Sequence, residues 1–458
     1  MKPARLQTND GGGTTTASYP RVRHQVIIRE TNLGDYLLSG SSVLEIDDAS
    51  RTVVALCDGC HTVQDIAAVV ACQQCEPVET VVDELVPFLD MLVEEGVIQY
   101  YDTPEYISPL YAYDRPLSVI WEITYACNQA CQYCIARAGK AAPDELSRKE
   151  MDTILQELIS LDVGLINITG GEPLLKKETA LHIAKKASEN GIELELLTNA
   201  MLVTEEVAHE LHEAGIRYAQ VSIDCVHPEV HDAQRGVAGA WERAVNGITR
   251  LRDAGIEVMA AAVMNKETLP YFMETAKFLE NCADKVKMGP VQPMGRGEKS
   301  ELLLTPEMYY DLQVLRSTTP DNQLVDFIFC KERCSIGTTP VICPNGDVYP
   351  CMLTKYKELK LGNLKKESFR SIYKNSEVLH ELFQVTVDDI EKCNSCWNRY
   401  YCGGGCRGCA FAYHGTIYKW DPYQCEGERK FARALLKWGH PETKRALKEL
   451  LRLSKNLP

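Results

Sequence analysis

Between residues 117 and 291, the pattern of apolar and polar residues alternates between two periods. From Leu117 onward, six short apolar runs of strand type alternate with five stretches of helical period. This order predicts an α/β fold with a parallel sheet, curled as a full or partial barrel. Ligands are then expected at the carboxyl ends of the strands. The predicted strands are 117–124, 164–169, 192–198, 218–223, 257–263 and 285–291, and the predicted helices are 144–161, 176–189, 204–214, 239–254 and 268–281.

The pattern before this region predicts a small α+β domain over residues 22–99. Residues 25–45 alternate as short strands do, and three stretches of helical period follow. Thr62, with Asp65 three positions later, predicts a capping box at the start of the second helix. The predicted helices are 48–56, 63–71 and 78–95.

The remaining segments are predicted from their composition. Residues 326–425 are dominated by Gly, Cys and short runs, so we expect bound metal to organise them. Residues 426–458 have the period of a basic helix, which Gly439 and Pro441 should interrupt. Residues 1–21 are expected to form a disordered tail, and the proline-punctuated residues 100–116 a linker.

Composition excludes several classes of function. The chain has 458 residues and a net charge of −15, which argues against nonspecific nucleic-acid binding. No apolar run approaches the roughly 18 residues of a membrane span, and no secretory signal begins the chain. We therefore expect a cytoplasmic protein without nucleic-acid or membrane partners. Its 19 cysteines come in tight groups, which in a long chain indicates metal or redox chemistry.

The first cysteine group directly follows the first predicted barrel strand. Cys127, Cys131 and Cys134 form a Cys-x3-Cys-x2-Cys motif on one loop. Three thiolates can bind three irons of a 4Fe–4S cube and leave the fourth iron open, whereas electron-transfer cubes use four cysteines. Zinc is the alternative, but it prefers four ligands and none follows nearby in residues 135–139.

This motif, with an aromatic residue before its last cysteine, resembles that of the radical S-adenosylmethionine (SAM) superfamily. The resemblance implies a partial (β/α)6 TIM-type barrel and a cluster whose open iron chelates SAM. It also implies reductive cleavage of SAM to a 5′-deoxyadenosyl radical. Glu172 could then accept hydrogen bonds from the SAM ammonium, and Arg235 could pair with its carboxylate. The SAM-binding residues that it implies, mostly at successive strand ends, are Tyr133, Gly170, Gly171, Glu172, Pro173, Thr198, Asn199, Ser222, Asp224 and Arg235.

A second cysteine group lies between residues 330 and 425. Its run Cys-x2-Cys-x5-Cys-x3-Cys over 393–406 would, standing alone, also suit one zinc ion. With Gly346-x4-Cys351 upstream, it resembles the SPASM domain, an iron–sulfur module with two auxiliary 4Fe–4S clusters, which makes three clusters per chain. The resemblance assigns Cys393, Cys396, Cys402 and Cys425 to an outer cluster and Cys330, Cys334, Cys351 and Cys406 to an inner cluster. Cys343 is the alternative to Cys330, and Cys409 is left over.

The N-terminal segment 56–66 resembles part of the PqqD-like domain, a winged-helix-like peptide-recognition domain. The resemblance implies that residues 22–99 bind the leader of a precursor peptide as an added strand. Two Cys-x2-Cys pairs, Cys57/Cys60 and Cys72/Cys75, leave a zinc site open as an alternative to simple packing.

Three functions are compatible with these patterns. The first is a peptide maturase that oxidatively cross-links a ribosomally made peptide, through a thioether or carbon–carbon bond, with flavodoxin or ferredoxin as electron donor. The second is an enzyme acting on a small cofactor or tetrapyrrole precursor. The third is a noncatalytic electron carrier, although a carrier needs no SAM pocket. No side chain stands out in the sequence as a general acid or base.

Overall fold

A computed structural model divides the chain into two compact units, Met1–Tyr113 and Asp114–Pro458. None of the helices in the described ranges is both long and apolar enough to cross a membrane. The residues that the structure describes are 18–22, 26–31, 34–39, 42–95, 97–102, 104, 116, 118–161, 163–298, 300–317, 334, 336–438 and 444.

The first unit is an α+β domain, as its pattern predicts. One antiparallel sheet has the order β2-β3-β4, and β1 pairs with β5 in a second. The capping box is present, because Thr62 and Asp65 exchange side-chain to backbone hydrogen bonds. Its elements are β1 (Tyr19–Val22), β2 (Val26–Thr31), β3 (Gly34–Ser39), β4 (Ser42–Ile46), α1 (Asp48–Leu56), α2 (Val63–Gln74), α3 (Val78–Glu94) and β5 (Ile98–Tyr101).

The boundaries predicted for this unit need correction at both ends. Residues 19–21, assigned to the disordered tail, belong to β1, and residues 100–101, assigned to the linker, belong to β5. The two strands pair antiparallel, with Val22 opposite Ile98. Strands so short and so far apart in sequence carry little local signal, because each is stabilised mainly by its partner.

The second unit is built on one mostly parallel sheet, which confirms the α/β barrel-type prediction. Its strand order is β11-β10-β9-β8-β7-β6-β12-β13-β14, and β6 to β11 are the six predicted strands, all parallel. Their carboxyl ends therefore meet along one edge. The strands are β6 (Ser118–Glu122), β7 (Leu165–Thr169), β8 (Glu193–Thr198), β9 (Tyr218–Ser222), β10 (Glu257–Met264), β11 (Lys285–Pro290), β12 (Val341–Ile342), β13 (Asp347–Tyr349) and β14 (Gly362–Asn363).

Helices cover this sheet at the positions that the 3.6-residue period predicts, with two additions. The pattern missed α7 and α10, although Pro228 opens the first and Thr305 caps the second. The helices are α4 (Arg148–Ser160), α5 (Lys177–Ser188), α6 (Glu205–Glu213), α7 (Pro228–Arg235), α8 (Ala240–Asp253), α9 (Phe272–Cys282) and α10 (Pro306–Arg316).

The cysteine-rich region has more apolar packing than its sequence suggests. Phe369, Ile372, Tyr373 and Leu379 are all buried, and β12 adds to the barrel sheet parallel to β6. Side chains of short helices therefore build a local core, and the organising role of bound metal stays a prediction. These helices are α11 (Phe369–Asn375), α12 (Glu377–Gln384), α13 (Arg399–Cys402) and α14 (Arg407–His414).

The last described helix, α15 (Cys425–Trp438), packs on α10. It begins one residue before the predicted start. The predicted interruption at Gly439 and Pro441 lies outside the described residues.

Candidate active site

The loop that carries the first three cysteines is closed by its own backbone. Cys127 donates its N–H to the carbonyl of Gly139 at 2.9 Å, and Gly139 donates to the carbonyl of Tyr125 at 2.9 Å. The loop thereby returns to the end of β6, and its cysteines lie at the carboxyl edge of the sheet.

The glycine pair after β7 supports the base of this loop. Gly171 donates to the carbonyl of Thr124 at 2.7 Å, and Glu172 donates to that of Ala126 at 2.8 Å. A Cβ atom at Gly170 would lie 2.5 Å from the Thr124 oxygen, and one at Gly171 would lie 2.1 Å from the Ala126 oxygen. Only glycine permits this approach of two backbones.

The Glu172 carboxylate, which the resemblance predicts to accept hydrogen bonds from SAM, also has donors within the chain. It is fully buried and accepts three hydrogen bonds from the chain: from Leu174 N at 3.1 Å, Thr198 Oγ1 at 2.7 Å and Asn199 N at 2.8 Å. The carboxylate thus links the ends of β7 and β8, and its binding to the SAM ammonium stays a prediction.

Arg235 likewise has a partner within the protein. Its guanidinium forms a bidentate ion pair with Asp224, with nitrogen–oxygen distances of 2.6 and 2.7 Å, and the Tyr133 hydroxyl donates to the same carboxylate. Burial opposes ionisation of Asp224, but the charge and hydrogen bonds of Arg235 outweigh it and lower the pKa of that carboxyl. That Arg235 pairs with the SAM carboxylate stays a prediction.

Other residues of the expected SAM site lie at or near the same strand ends. Asn199 donates from its side chain to Asn128 at 2.7 Å, next to Cys127. Ser222 is half-buried at the end of β9. Pro173 opens a short 3-10 helix, Pro173–Lys176, after the glycine pair.

The chemistry of the three loop thiols suits a cationic iron–sulfur cluster. Burial raises the pKa of Cys127 to about 11, and its sulfur accepts a hydrogen bond from the Gln129 N–H at 3.4 Å. Burial also raises the pKa of Cys131, although Arg235 opposes this shift. Cys127 and Cys131 therefore resist ionisation when no metal is bound. Such thiols become ligands when the positive charge of a metal displaces their protons.

The second cysteine region separates into two groups of neighbouring thiols. In the first, burial raises the pKa of Cys351 to about 12, and the nearby Cys334 and Cys406 add to the shift. In the second, burial raises the pKa of Cys393 to about 11, with contributions from Cys425 and Cys396. Burial likewise raises the pKa of Cys402, and the same cysteines, Cys393 and Cys396, contribute to its shift. The groups are therefore Cys334, Cys351 and Cys406, and Cys393, Cys396, Cys402 and Cys425.

The cysteines outside these groups have different surroundings. Cys330 lies outside the described residues. Cys343 lies against Glu122, Lys355 and Tyr125 instead of the other thiols. Cys409 is buried beside Cys406 and donates to Gln292 Oε1 at 3.4 Å.

The four N-terminal cysteines remain without an assigned metal. Cys57 is buried in the core of the first unit, whereas Cys60, Cys72 and Cys75 are exposed. Across the described ranges, no three His, Cys, Asp or Glu side chains converge on the position of a single metal ion.

Sequence reasoning missed one residue that positions the cysteine loop. Arg296, after β11, donates from Nε to the Cys131 carbonyl at 2.7 Å and from Nη1 to the Ala138 carbonyl at 2.8 Å. Its signal in the sequence is Gly295-Arg296-Gly297 beyond the sixth strand. Gly295 is required there because a Cβ atom would lie 2.4 Å from the Cys134 oxygen.

Comparison with known protein families decides the identity of this site. The model of the radical SAM superfamily matches residues 121–279, which contain the cysteine loop and the strand ends that support it. The chain contains a radical SAM domain. The model of the SPASM iron–sulfur cluster-binding domain matches residues 334–397, so this enzyme binds SAM and a 4Fe–4S cluster in its barrel and further iron–sulfur clusters after it.

Relatives of this enzyme have two kinds of named function. It is 29% identical over 333 residues to mycofactocin maturase MftC of Mycobacterium tuberculosis, covering 65% of this chain and 80% of the relative. It is 29% identical over 339 residues to AdoMet-dependent heme synthase of Oleidesulfovibrio alaskensis, covering 66% and 86%. Streptococcus suis SuiB bound to precursor peptide SuiA shares the fold, with a TM-score of 0.59 at 14% identity, covering 88% of this chain and 98% of SuiB.

Proposed function

We propose that this radical SAM enzyme oxidatively cross-links a ribosomally made peptide that it recognises through a leader segment. A relative at 29% identity is named a maturase. The fold is shared with SuiB, whose structure contains a precursor peptide. These likenesses support a peptide substrate, and the first unit of the chain supplies the structural argument.

The observation that carries the proposal is the three-stranded sheet of the first unit. Within the described residues, β2 and β4 each pair only with β3, so each presents one edge to a further strand. An extended peptide can add to such an edge through backbone hydrogen bonds. Residues 22–99 would then act as a PqqD-like recognition domain that raises the local concentration of the attached core peptide.

The barrel residues divide the chemical work. The loop with Cys127, Cys131 and Cys134 would hold the 4Fe–4S cluster, which together with SAM supplies a 5′-deoxyadenosyl radical when bound. Arg296, Gly171 and Glu172 fix that loop against the strand ends. Asn199 and Ser222 would contact SAM, and Asp224 and Arg235 would orient Tyr133 within the loop.

The second cysteine region would bind two auxiliary 4Fe–4S clusters. Cys393, Cys396, Cys402 and Cys425 supply the outer set, and Cys334, Cys351 and Cys406 supply most of the inner set, with Cys330 as the fourth ligand. Such clusters can accept the electron that an oxidised substrate releases.

A second candidate function is supported by the heme synthase relative, which is also 29% identical. In that case the substrate would be a tetrapyrrole or another small cofactor precursor. The first unit would then have lost any role in recognising peptides.

The test uses the peptide encoded by a short open reading frame beside the gene. The peptide is incubated anaerobically with reconstituted enzyme, SAM and reductant, and its mass is recorded with the yield of 5′-deoxyadenosine. The proposal predicts loss of about one hydrogen pair. An unchanged peptide, with oxidation of a tetrapyrrole precursor in its place, would select the second function.

Hydrogen–deuterium exchange tests the recognition step separately. Leader peptide added to the full-length enzyme should slow backbone exchange in β2 or β4, while core peptide without its leader serves as the control. Protection confined to the barrel would contradict the assignment of residues 22–99.

A further inference from the structure

A cavity of about 240 Å³ lies beside the cysteine loop in the second unit. One wall comes from Tyr125 and from residues 135–137 of the loop, and another from Met294 and Gly295 after β11. The third wall comes from the cysteine-rich region and includes Cys343 and Lys355. The cavity is therefore bordered both by the loop that generates the radical and by a segment that carries the inner cysteine group.

A buried ion pair lies under this cavity. Glu122 is the last residue of β6, and its side chain is 4% exposed. One carboxylate oxygen, Oε1, accepts a hydrogen bond from Lys355 Nζ. The other oxygen, Oε2, is buried without a hydrogen-bond donor. A buried carboxylate oxygen with no donor is unusual, because its desolvation is uncompensated.

Sheet register places a thiol next to this carboxylate. β12 runs parallel to β6 with Ile342 opposite Trp121, so Cys343 and Glu122 are the next pair along the two strands. The Cys343 thiol is 2% exposed and interacts with the Glu122 carboxylate and the Tyr125 phenol. Neighbours in register on adjacent strands point to the same face, and Cys343 also lines the cavity.

We propose that Cys343 and Glu122 form a relay that accepts the proton released during substrate oxidation. This proposal rests on the proposed function. The substrate loses one hydrogen atom to the 5′-deoxyadenosyl radical. The substrate radical then gives one electron to an auxiliary 4Fe–4S cluster and one proton to the Cys343 sulfur, whose own proton passes to Glu122. A bond forms between the two substrate atoms that have lost hydrogen, so atoms and electrons balance.

The charges around Glu122 suit this role. The titratable groups that face it are Lys355, Cys343 and Tyr125. Lys355 holds the carboxylate in place through this ion pair. A positioned proton acceptor typically contributes a factor of about 10² to 10⁴ to a proton transfer.

The first test measures coupling, defined as modified peptide formed per 5′-deoxyadenosine. C343A and E122Q should lower coupling about 100-fold, while 5′-deoxyadenosine formation and iron content stay near those of the parent enzyme. C343S should retain most of the coupling, because a hydroxyl can also pass a proton. C282S, at a half-buried thiol on α9 whose sulfur donates to Leu279, is the control.

Three outcomes would overturn the relay. They are unchanged coupling in C343A, loss in C343S as complete as in C343A, and a parallel fall of product, 5′-deoxyadenosine and iron in E122Q. Since E122Q leaves Lys355 without its partner, the double variant E122Q/K355M separates misfolding from loss of the acceptor. It should keep the iron content of the parent enzyme and show the same low coupling as E122Q.

A second test needs no substrate and thus separates this inference from the proposed function. The infrared S–H stretching band of Cys343, identified in the parent-minus-C343S difference spectrum, should shift in E122Q because the side chain next to the thiol has changed. An identical band in both proteins would show that the thiol does not contact the carboxylate. If the parent enzyme leaves the peptide unchanged while the band shifts, the peptide substrate fails and the relay geometry stands.

Discussion

The two cysteine regions of this enzyme are positioned by different forces. The loop with Cys127, Cys131 and Cys134 is held by hydrogen bonds from the strand ends, including those from Gly171 and Arg296. The region from Cys334 to Cys425 is held by short helices around buried side chains such as Phe369 and Tyr373. The first arrangement uses a preformed barrel, whereas the second has to build its own core.

This difference indicates how each region should respond to loss of metal. The barrel fixes the first loop, so removing iron should leave its backbone in place. Apolar packing, supported by the pairing of β12 with β6, should keep the second region folded to a similar degree. Zinc-finger-like collapse of the second region without metal would show that its core is too small.

The largest expected effect is at the ion pair beside the first loop. Asp224→Asn leaves the buried Arg235 guanidinium without its partner and should lower the free energy of unfolding by about 3–5 kcal/mol. Denaturant unfolding of the iron-free protein measures the change. Asp152→Asn, which removes an ion pair with Lys186 at a side chain 34% exposed, should cost less than about 1 kcal/mol.

The next effect tests the core of the second region. Phe369→Ala should lower the free energy of unfolding by about 3 kcal/mol, because it leaves a cavity next to Tyr373. The rings of Phe369 and Tyr373 stack with their centroids 6.1 Å apart. Phe369→Leu should cost less. An alanine variant as stable as the parent in the iron-free state would mean that metal, and not packing, organises residues 334–425.

A smaller effect is expected where Arg296 joins the last barrel strand to the loop. Arg296→Met removes two hydrogen bonds from a charged donor and should cost about 2 kcal/mol. Arg296→Lys should recover part of this loss, since lysine can reach one carbonyl. Loss of iron from the first loop alone, measured by electron paramagnetic resonance, would locate the effect.

The smallest effect is a pH dependence from His231 on α7. Burial lowers the pKa of this imidazole to about 4, from an ordinary value of 6.5. The unfolded chain therefore binds a proton below pH 6.5 that the folded chain refuses until about pH 4, so stability falls as pH decreases through this window. The loss should reach about 1 kcal/mol at pH 5.5, and His231→Asn should abolish this share of the slope.

Much of the fold, and of the barrel above all, could be predicted from the sequence because the signals for it are local. Six apolar runs, the capping box at Thr62 and the motif at Cys127 each lie within a few consecutive residues. Parallel strands buried on both faces give continuous apolar runs, which is why their number and order were accessible.

The rest depended on partners that are distant in sequence. β1 is stabilised by β5, and β12 by β6, and neither pairing is encoded locally. The sequence indicated that Glu172 and Arg235 matter, but not that Thr198 and Asn199 would donate to Glu172 or that Asp224 would pair with Arg235. For the same reason, nothing in the sequence indicated that Glu122, Cys343 and Lys355 lie together.

Iron content tests the division between the two cysteine regions most directly. The reconstituted enzyme should hold about 12 irons per chain, as three 4Fe–4S clusters require, and the triple alanine variant of Cys127, Cys131 and Cys134 should hold about 8 and cleave no SAM. The triple variant should retain the stability of the second region. Nearly iron-free protein with bound zinc, or a triple variant that loses all its iron, would contradict the account.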